Sequence, residues 1–302
     1  MKVYVLIIRE ALINVGNHYT FLRKLTRTVL RIRPNENIAD GIDRYRYKLY
    51  KVFNHKKVSK DEFKKLLVKA GINKGDTLIV HSAWRGLFML DMEPEEVIDM
   101  LMNIVGEEGT LVMPAYGSDE SYFDEVNSIS CAGVLSECFR KRDGVLRSCF
   151  PKFSMCAYGK NAEDIVSKHQ KSLYQFDENS PYSIAVKKYK AKILLLGMGM
   201  HPHKITVFHC SSYDSRDYVD YQKVYTKEKQ AIIRFRDGTE IIKEYIDRNP
   251  EYQNNKTSFR HLFRCVPKIR FKYKGLSVIC FDSYSAYMEG LKFCANGGKL
   301  YK

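Results

Sequence analysis

The sequence predicts an α/β fold with a partly parallel mixed sheet and a late antiparallel hairpin, and three observations lead to this prediction. Helix and strand signals alternate along most of the chain. Two short apolar segments flank an amphipathic one at the spacing of a βαβ unit, which requires parallel strands. Two strand-like segments flank Asp237-Gly238, a strong two-residue hairpin signal. We expect one α/β domain at 58–302 and a basic, helical N-terminal extension at 1–57.

The first elements of the α/β region form the βαβ unit. Ser59 and Glu62 form a capping box, and an apolar stripe follows at helical spacing. Residues 77–81 are typical of a buried strand. A helix over 93–105, with a proline in its first turn, and a strand over 110–113 complete the unit.

The later elements follow from the same capping, apolar and turn signals. In chain order they are a helix at 133–141, a helix from Asn161 to about residue 169, a helix opened by Ser180-Pro181, a strand at 193–196, a short helix from about Thr206, and hairpin strands at 231–236 and 239–243. Before residue 58, Leu22, Leu25, Val29 and Leu30 have roughly helical spacing, and Pro34 should end that helix.

The composition is that of a globular protein. The chain has 302 residues, of which 45% are hydrophobic and 28% charged, which excludes a disordered or collagen-like chain. No apolar run approaches the roughly 18 residues of a membrane span. The eight cysteines contain no C-x-x-C pair; they are too dilute for a disulfide scaffold and fit no zinc motif. We therefore expect free thiols and a cytoplasmic protein.

The formal net charge of +15 is concentrated near the start of the sequence. Residues 1–60 hold fourteen basic and four acidic residues, a net charge of +10. Such a segment can bind nucleic acid, contact an anionic membrane surface or form a solvated helical face. No zinc-finger, RRM or KH motif accompanies the charge. The sequence thus predicts no specific nucleic acid partner and leaves peripheral membrane contact through 1–60 open.

Candidate ligand-binding residues follow the predicted strands, because ligands of open α/β sheets bind beyond the carboxyl ends of the strands. The three segments at such ends are 81–86, 114–116 and 197–209. Small residues and a glycine in the first segment favour backbone N–H groups that meet a phosphate. A separate irregular loop, 147–154, combines an arginine with two serines around a proline, which suggests an anion site.

Histidines 201, 203 and 209 cluster in the third segment. Pro202 separates the first two, and no acidic residue lies between 179 and 213, so we predict no metal site. His209 is expected in the first turns of the short helix, within the ligand crevice. A neutral histidine there can accept a proton from an attacking amine or hydroxyl.

Together these segments resemble the aminoglycoside 3-N-acetyltransferase family over roughly residues 59–290. The resemblance lies in the order and spacing of short motifs, which are Gly75-Asp76-Thr77 with Val80-His81-Ser82; Val105-Gly106 with Gly109 to Pro114; Gly133 with Glu137, Phe139 and Arg140; Arg147-Ser148, Pro151, Ser154, Ala157 and Gly159; Ser180-Pro181; Leu195-Leu196-Gly197; and Thr206 with His209.

The resemblance implies direct acetyl transfer from acetyl-CoA to an amine in a ternary complex, on a three-layer α/β/α sandwich. It assigns the role of general base to His209. The residues that would hold CoA lie in two loops and are His81, Ser82, Ala83, Arg85, Gly86, Leu87, Arg147, Ser148 and Ser154. The residues that would contact the acceptor are Tyr116, Thr206, Ser212 and Tyr213. The carboxylate that orients His209 is expected downstream, and the candidates are Glu244, Asp247 and, third, Asp214.

Two departures from the family pattern bear on the acceptor. Ser212 stands where the family usually has glutamate, and Phe150 where it often has histidine. Aminoglycosides are polycations, and a site for them should be rich in carboxylates. The loss of the carboxylate at position 212 and the net charge of +15 therefore favour an anionic acceptor. We expect a small-molecule substrate, a nucleotide-linked amino sugar of surface polysaccharide or glycan biosynthesis. The alternatives are an aminoglycoside acetyltransferase that confers resistance, and a non-catalytic relative that binds polyanions or membrane surfaces. The sequence leaves the oligomeric state open.

Overall fold

The structure of the protein is a computed structural model, and it describes residues 20–29, 31–32, 45, 52, 56–198, 205–218 and 220–302. The chain forms two compact units, 1–56 and 57–302. In the first unit, helix α1 spans Thr20–Val29, and Leu25 and Val29 of the predicted helix are exposed. The predicted helix end at Leu30 and Pro34 lies outside the described residues.

Ten strands form two sheets in the described part of the second unit. They are β1 Thr77–Ser82, β2 Thr110–Pro114, β3 Tyr122–Asp124, β4 Leu146–Arg147, β5 Met155–Gly159, β6 Lys192–Leu196, β7 Tyr225–Arg234, β8 Glu240–Arg248, β9 Ile269–Tyr273 and β10 Leu276–Asp282. The large sheet has the order β4-β5-β2-β1-β6-β10-β9, and the small one β3-β7-β8. In the large sheet, β1 is parallel to β2 and β6, and the outer strands pair antiparallel. The predicted mixed sheet is confirmed.

The α-helices of the second unit flank the large sheet. They are α2 Lys60–Lys69, α3 Pro94–Val105, α4 Val134–Arg140, α5 Ala162–Val166, α6 Pro181–Lys187, α7 Val207–Asp214, α8 Tyr221–Val224, α9 Lys256–Cys265 and α10 Ser283–Ala295. The predicted capping box of Ser59 and Glu62 opens α2, and Ser180 caps α6 through the N–H of Ser183. The helix after Asn161 is shorter than predicted, and a 3-10 turn at His169–Lys171 follows it.

Two hydrophobic cores lie on opposite faces of the large sheet and make it the middle layer of an α/β/α sandwich. Alternate residues of β1 point to opposite faces: Leu78 and Val80 pack with α2, α3 and α4, and Ile79 packs with α5, α6, α7, α9 and α10. Because both faces are covered, β1 is an almost continuous apolar run. The predicted α/β fold is confirmed.

The late hairpin is antiparallel as predicted, but its strands are longer. β7 begins six residues before the predicted start, and β8 continues to Arg248. The added residues are mostly charged, which is why the apolar pattern failed to extend the strands. The hairpin turn at Asp237-Gly238 is as predicted, with Gly238 at φ +86°.

Candidate active site

A cavity of about 810 Å³ opens at the carboxyl ends of β1, β2 and β6, where the sequence predicts a ligand site. The strand ends contribute His81 and Ser82 from β1, Pro114 from β2 and Met198 after β6, and α7 contributes His209. The β7–β8 hairpin lines another part of the cavity with mostly charged side chains, namely Tyr225, Lys227, Lys229, Asp247 and Arg248. The cavity therefore brings the predicted base together with a charged wall.

His209 lines the cavity while aromatic side chains hold its ring. Its Nδ1 lies 2.7 Å from Tyr301 Oη, and the ring stacks on Tyr301 at 5.7 Å and on Phe176 at 5.1 Å between centroids. Burial, and next the charge of Arg248, lower the pKa of His209 to about 3. The imidazole is therefore neutral at physiological pH, the form that can accept a proton.

Tyr301, the partner of His209, is itself held from two directions. Backbone hydrogen bonds of 2.8 and 2.9 Å pair Gln253 with Lys302, and the Tyr301 hydroxyl lies 3.0 Å from Tyr225 Oη. When His209 Nε2 acts as the proton acceptor, Nδ1 carries the hydrogen and donates it to Tyr301 Oη. A buried hydroxyl thus stands at the position predicted for a carboxylate.

The three carboxylates that the sequence offers as partners of His209 bind other groups. Glu244 is exposed and away from the cavity, whereas Asp247 lines it. Their partners are Gln230 at 3.0 Å for Glu244, Lys152 at 2.6 Å for Asp247, and Lys187 at 2.9 Å for Asp214. Among the described residues, the side-chain hydrogen bond of His209 goes to Tyr301 alone. The predicted histidine–carboxylate pair is therefore absent from these contacts.

The segment after β1 divides into a part that lines the cavity and a part that does not. His81, Ser82 and Ala83 line it. His81 Nε2 lies 3.0 Å from Tyr182 Oη, and burial lowers the pKa of His81 to about 4, so His81 offers a neutral ring. Arg85, also predicted to hold CoA, is exposed and does not line the cavity.

Gly86 and Leu87 support this segment and do not line the cavity. Leu87 is buried in the core with α2 and α3. Gly86 packs against Gly197, and a Cβ built on Gly86 would lie 1.9 Å from the Gly197 carbonyl oxygen. The loops after β1 and β6 thus touch through their backbones, and a side chain at position 86 would separate them.

Arg147 and Ser154, which the sequence predicts to hold CoA, are buried and bound to the protein. Arg147 Nη1 donates to Ser128 O and Nη2 to Ala115 O, both at 2.6 Å, and its guanidinium lies 4.6 Å from the Phe123 ring centroid. Ser154 Oγ donates to Ala115 O at 2.5 Å. These donors satisfy carbonyls of neighbouring loops, and CoA contacts by Arg147 and Ser154 stay a prediction.

Ser148 is also turned inward. Its Oγ accepts a 2.8 Å hydrogen bond from Met155 N–H and lies 2.8 Å from His169 Nδ1. The His169 ring stacks on Phe150 at 4.5 Å. Phe150 is one of the two residues that depart from the family pattern, and it is fully buried beside the buried His169. Ser148 is therefore outside the cavity and serves this packing.

Two of the four predicted acceptor contacts line the cavity. Tyr116 lies edge-on to Phe153, with 5.1 Å between ring centroids, and Thr206 lies beside the Tyr116 hydroxyl. Burial raises the pKa of Tyr116 to about 12, so it is a neutral donor. Ser212 is buried beside Tyr301, and the Tyr213 hydroxyl donates to Glu178 at 3.1 Å. Neither of these two lines the cavity.

Sequence reasoning missed the charged wall and the partner of His209. The missed cavity residues that carry charge are Glu120, Lys152, Lys227, Lys229 and Arg248. Period-two spacing of Lys227 and Lys229 on one strand is a signal that they share a face. Tyr301 carries no such signal, because it is 92 residues from His209. The histidines at 201 and 203 lie outside the described residues.

A comparison with protein families shows to which family this chain belongs. The model of the family described as aminoglycoside 3-N-acetyltransferase matches residues 79–290, more than two thirds of the chain. The chain belongs to the aminoglycoside 3-N-acetyltransferase family. It is therefore an acyltransferase, an N-acetyltransferase with acetyl-CoA as co-substrate, and the predicted resemblance is confirmed.

Curated relatives agree with the family assignment. The chain is 27% identical over 200 residues to the SPbeta prophage-derived aminoglycoside N(3')-acetyltransferase-like protein YokD of Bacillus subtilis (strain 168), covering 58% of this chain and 70% of that protein. It is 34% identical over 138 residues to aminoglycoside N(3)-acetyltransferase IV of Salmonella sp, covering 44% and 51%.

Solved structures of acetyltransferases share the fold. AAC(3)-IVa, as a mutant in complex with a gentamicin, aligns with a TM-score of 0.66 at 24% identity over 80% of this chain and 89% of that one. AAC-IIIb, in a binary complex with CoASH, aligns with a TM-score of 0.64 at 18% identity over 80% and 97%.

The described residues hold neither a cluster of metal-ligating side chains nor a membrane-spanning helix. No group of three or more His, Cys, Asp or Glu side chains is arranged to hold a metal ion within the described ranges. No helix in the part of the chain that the structure describes is long and apolar enough to cross a membrane.

Proposed function

We propose that this N-acetyltransferase acetylates a primary amine of an amino sugar or aminoglycoside, with His209 as general base. The observation that carries the proposal is a neutral imidazole at the cavity whose Nδ1 is anchored on Tyr301. The proposal takes the tautomer in which Nδ1–H donates to Tyr301 Oη, because only that tautomer leaves Nε2 as the proton acceptor. The ligand is expected beyond the carboxyl ends of the strands, which is where His209 lies.

The proposed reaction is a direct transfer. The amine nitrogen attacks the thioester carbonyl carbon, and His209 Nε2 removes a proton from that nitrogen as the C–N bond forms. The C–S bond then breaks, and the CoA thiolate takes the proton from His209. The positive charge of the neighbouring Arg248 destabilises the His209 imidazolium. Tyr301 is neutral and stabilises the imidazolium less than a carboxylate would. We therefore expect the imidazolium to be short-lived.

The residues proposed to contact the substrates are those that the cavity exposes. For CoA they are His81, Ser82 and Ala83, and for the acceptor Tyr116 and Thr206. A cavity of about 810 Å³ lies within the usual range for small-molecule sites, about 300–1,000 Å³. It therefore has room for a sugar and the end of the pantetheine arm.

Two acceptor classes are supported by different observations. Aminoglycosides are supported by the relatives, because structures with the same fold hold a gentamicin, apramycin and sisomicin. A nucleotide-linked amino sugar of glycan biosynthesis is supported by the charge of the chain alone, and no relative named here acts on one. The relatives therefore favour the aminoglycoside, which is the alternative acceptor of the sequence analysis, and resistance in cells that express the protein would test it.

The experiment is an acetyl-transfer assay that follows release of the CoA thiol. Wild type is compared with His209→Ala and with His261→Ala, a matched control because His261 is exposed and away from the cavity. Loss of kcat in His209→Ala by about 100-fold or more, with His261→Ala unchanged, supports the base assignment. Full turnover by His209→Ala removes it. If wild type transfers acetyl neither to amino sugars nor to aminoglycosides, the proposed acceptors are wrong.

The N-terminal extension and the cellular setting stay predictions of the sequence. A separate basic domain at 1–57, its contact with a membrane surface, a cytoplasmic location and an oligomer rest on composition, and most of 1–57 lies outside the described residues. Salt-dependent binding of the full chain to vesicles that contain anionic lipid would test the membrane contact. The non-catalytic alternative loses its basis because the chain belongs to a family of enzymes.

A further inference from the structure

The wall of the cavity that the β7–β8 hairpin supplies carries an excess of positive charge. Lys227 and Lys229 stand at alternate positions of β7 and so share a face. Both line the cavity, as does Tyr225, which a register shift in the strand separates from Lys227. Arg248 follows at the end of β8, opposite Tyr225 in the strand register. Lys152 contributes a fourth cation to the same cavity.

The carboxylates of this wall are already paired. Glu120 lies 2.8 Å from Lys152 and also pairs with Lys229. Asp247 lies 2.6 Å from Lys152 and 3.9 Å from Lys229, and its other oxygen accepts a hydrogen bond from Gln175. An ammonium group of a substrate would have to compete with two lysines for these oxygens.

Two cations in the cavity lack a carboxylate partner among the described residues. Lys227 is exposed to the cavity and makes no ion pair there. Arg248 is half-buried, and its Nη1 donates to the neutral Asn254 Oδ1 at 2.5 Å. The Arg248 guanidinium lies 5.7 Å from the Tyr301 ring centroid, which places this charge next to the base. A partly desolvated arginine without a counter-ion favours an anionic ligand.

We infer that Lys227 and Arg248 form a subsite for an anionic group, of the phosphate type, carried by the acceptor whose amine His209 deprotonates. The inference rests on the proposed function, because it assigns the substrate class of the same cavity. A phosphorylated amino sugar satisfies both cations and brings no second ammonium to the paired carboxylates. A phosphate of CoA offers the same chemistry, so the experiment must distinguish the two sources.

The test compares acceptors that differ only in the phosphate: glucosamine, glucosamine 1-phosphate and glucosamine 6-phosphate, with gentamicin as the polycation. Thiol release gives kcat/KM for each acceptor and KM for acetyl-CoA. We expect wild type to favour one of the phosphorylated sugars over glucosamine by at least about tenfold, the effect of one charge-assisted hydrogen bond. Lys227→Gln and Arg248→Gln should remove most of that preference, while KM for acetyl-CoA stays within about twofold.

The control variants are Lys65→Gln and Arg270→Gln, which remove one exposed charge each away from the cavity and should leave the preference unchanged. A rise in KM for acetyl-CoA with an unchanged acceptor preference overturns the inference and assigns the cations to CoA. Equal kcat/KM for glucosamine and both phosphates, or a preference for gentamicin, also overturns it.

A binding measurement without acetyl-CoA separates this inference from the proposed function. The two phosphorylated sugars are added to the full chain, and the thermal midpoint is followed with rising salt. A salt-sensitive rise in the thermal midpoint that Lys227→Gln abolishes supports the anion subsite, whether or not acetyl transfer occurs. Absence of acetyl transfer would instead remove the proposed function. Turnover without any such rise would remove the subsite and leave the proposed function in place.

Discussion

Replacing Tyr301 by phenylalanine removes the hydroxyl that anchors His209 and keeps the stacked ring. The lost contact is the 2.7 Å hydrogen bond to His209 Nδ1, and the ring stack at 5.7 Å has no need of the hydroxyl. Leaving a buried donor unpaired costs about 1–3 kcal/mol. If that cost falls on the reactive tautomer and orientation, kcat falls by about 5- to 150-fold.

The assay is thiol release at saturating acetyl-CoA, with kcat, KM and the pH profile measured for each variant. KM for acetyl-CoA should stay within about twofold. The acid limb of kcat/KM should keep its midpoint, because His209 has a pKa lowered to about 3 and is neutral above it, so the limb belongs to the acceptor ammonium. Tyr225→Phe is the matched control, since its hydroxyl contacts Tyr301 at 3.0 Å and not His209. We expect it to lower kcat less.

Two results would refute this reasoning. Full kcat in Tyr301→Phe would show that the hydroxyl does not hold the reactive tautomer. An equal loss in Tyr225→Phe and Tyr301→Phe, with a matching loss of thermal stability, would show that both hydroxyls only hold the fold. Thermal unfolding of all three proteins must therefore accompany the kinetics.

Three further predictions concern stability. Gly86→Ala should lower the free energy of unfolding by about 1–3 kcal/mol, because its Cβ would lie 1.9 Å from the Gly197 carbonyl oxygen; an unchanged denaturant midpoint would contradict the close contact. Asp247→Asn should also destabilise by about 1–3 kcal/mol, since it weakens the 2.6 Å pair with Lys152; chemical denaturation compares it with Glu244→Gln, an exposed control that should change stability by less than about 0.5 kcal/mol. Burial lowers the pKa of His169 to about 3, so the unfolded chain binds the proton at a higher pH than the folded chain does. Below about pH 6.5 the free energy of unfolding should therefore fall, by up to about 1.4 kcal/mol per pH unit until about pH 3. His169→Gln should flatten that slope, and an unaltered slope above about pH 4.5 would contradict the prediction.

The sequence predicts the central sheet well because local signals there agree with burial. The run at 77–81 is apolar on both faces since helices cover both sides of β1, and the capping box of Ser59 and Glu62 forms as the spacing predicts. These features depend on residues a few positions apart. Local pattern is therefore enough to find them.

The site is predicted less well because its contacts join distant residues. His209 could be found from its place after a strand, whereas Tyr301 is 92 residues away. The loop around Arg147 shows a different limit of the sequence pattern. Its donors look suited to an anion in the sequence, but they satisfy the carbonyls of Ala115 and Ser128. Polar residues in an irregular loop do not reveal whether backbone or ligand is their partner.

The short pairing of Gln253 with Lys302 has a consequence for how the enzyme can be switched off. Backbone hydrogen bonds of 2.8 and 2.9 Å join these residues outside the two sheets, and Tyr301 lies beside them. Opening of this element also breaks the 2.8 Å bond from Asn255 N–H to Leu300 O and exposes the buried Tyr301 ring, but it leaves the central sheet intact and so requires less free energy than global unfolding. Each opening would free Nδ1 of His209 while the rest of the fold persists. Amide exchange at residue 302 that outpaces exchange in β1 would report a native but catalytically disengaged population.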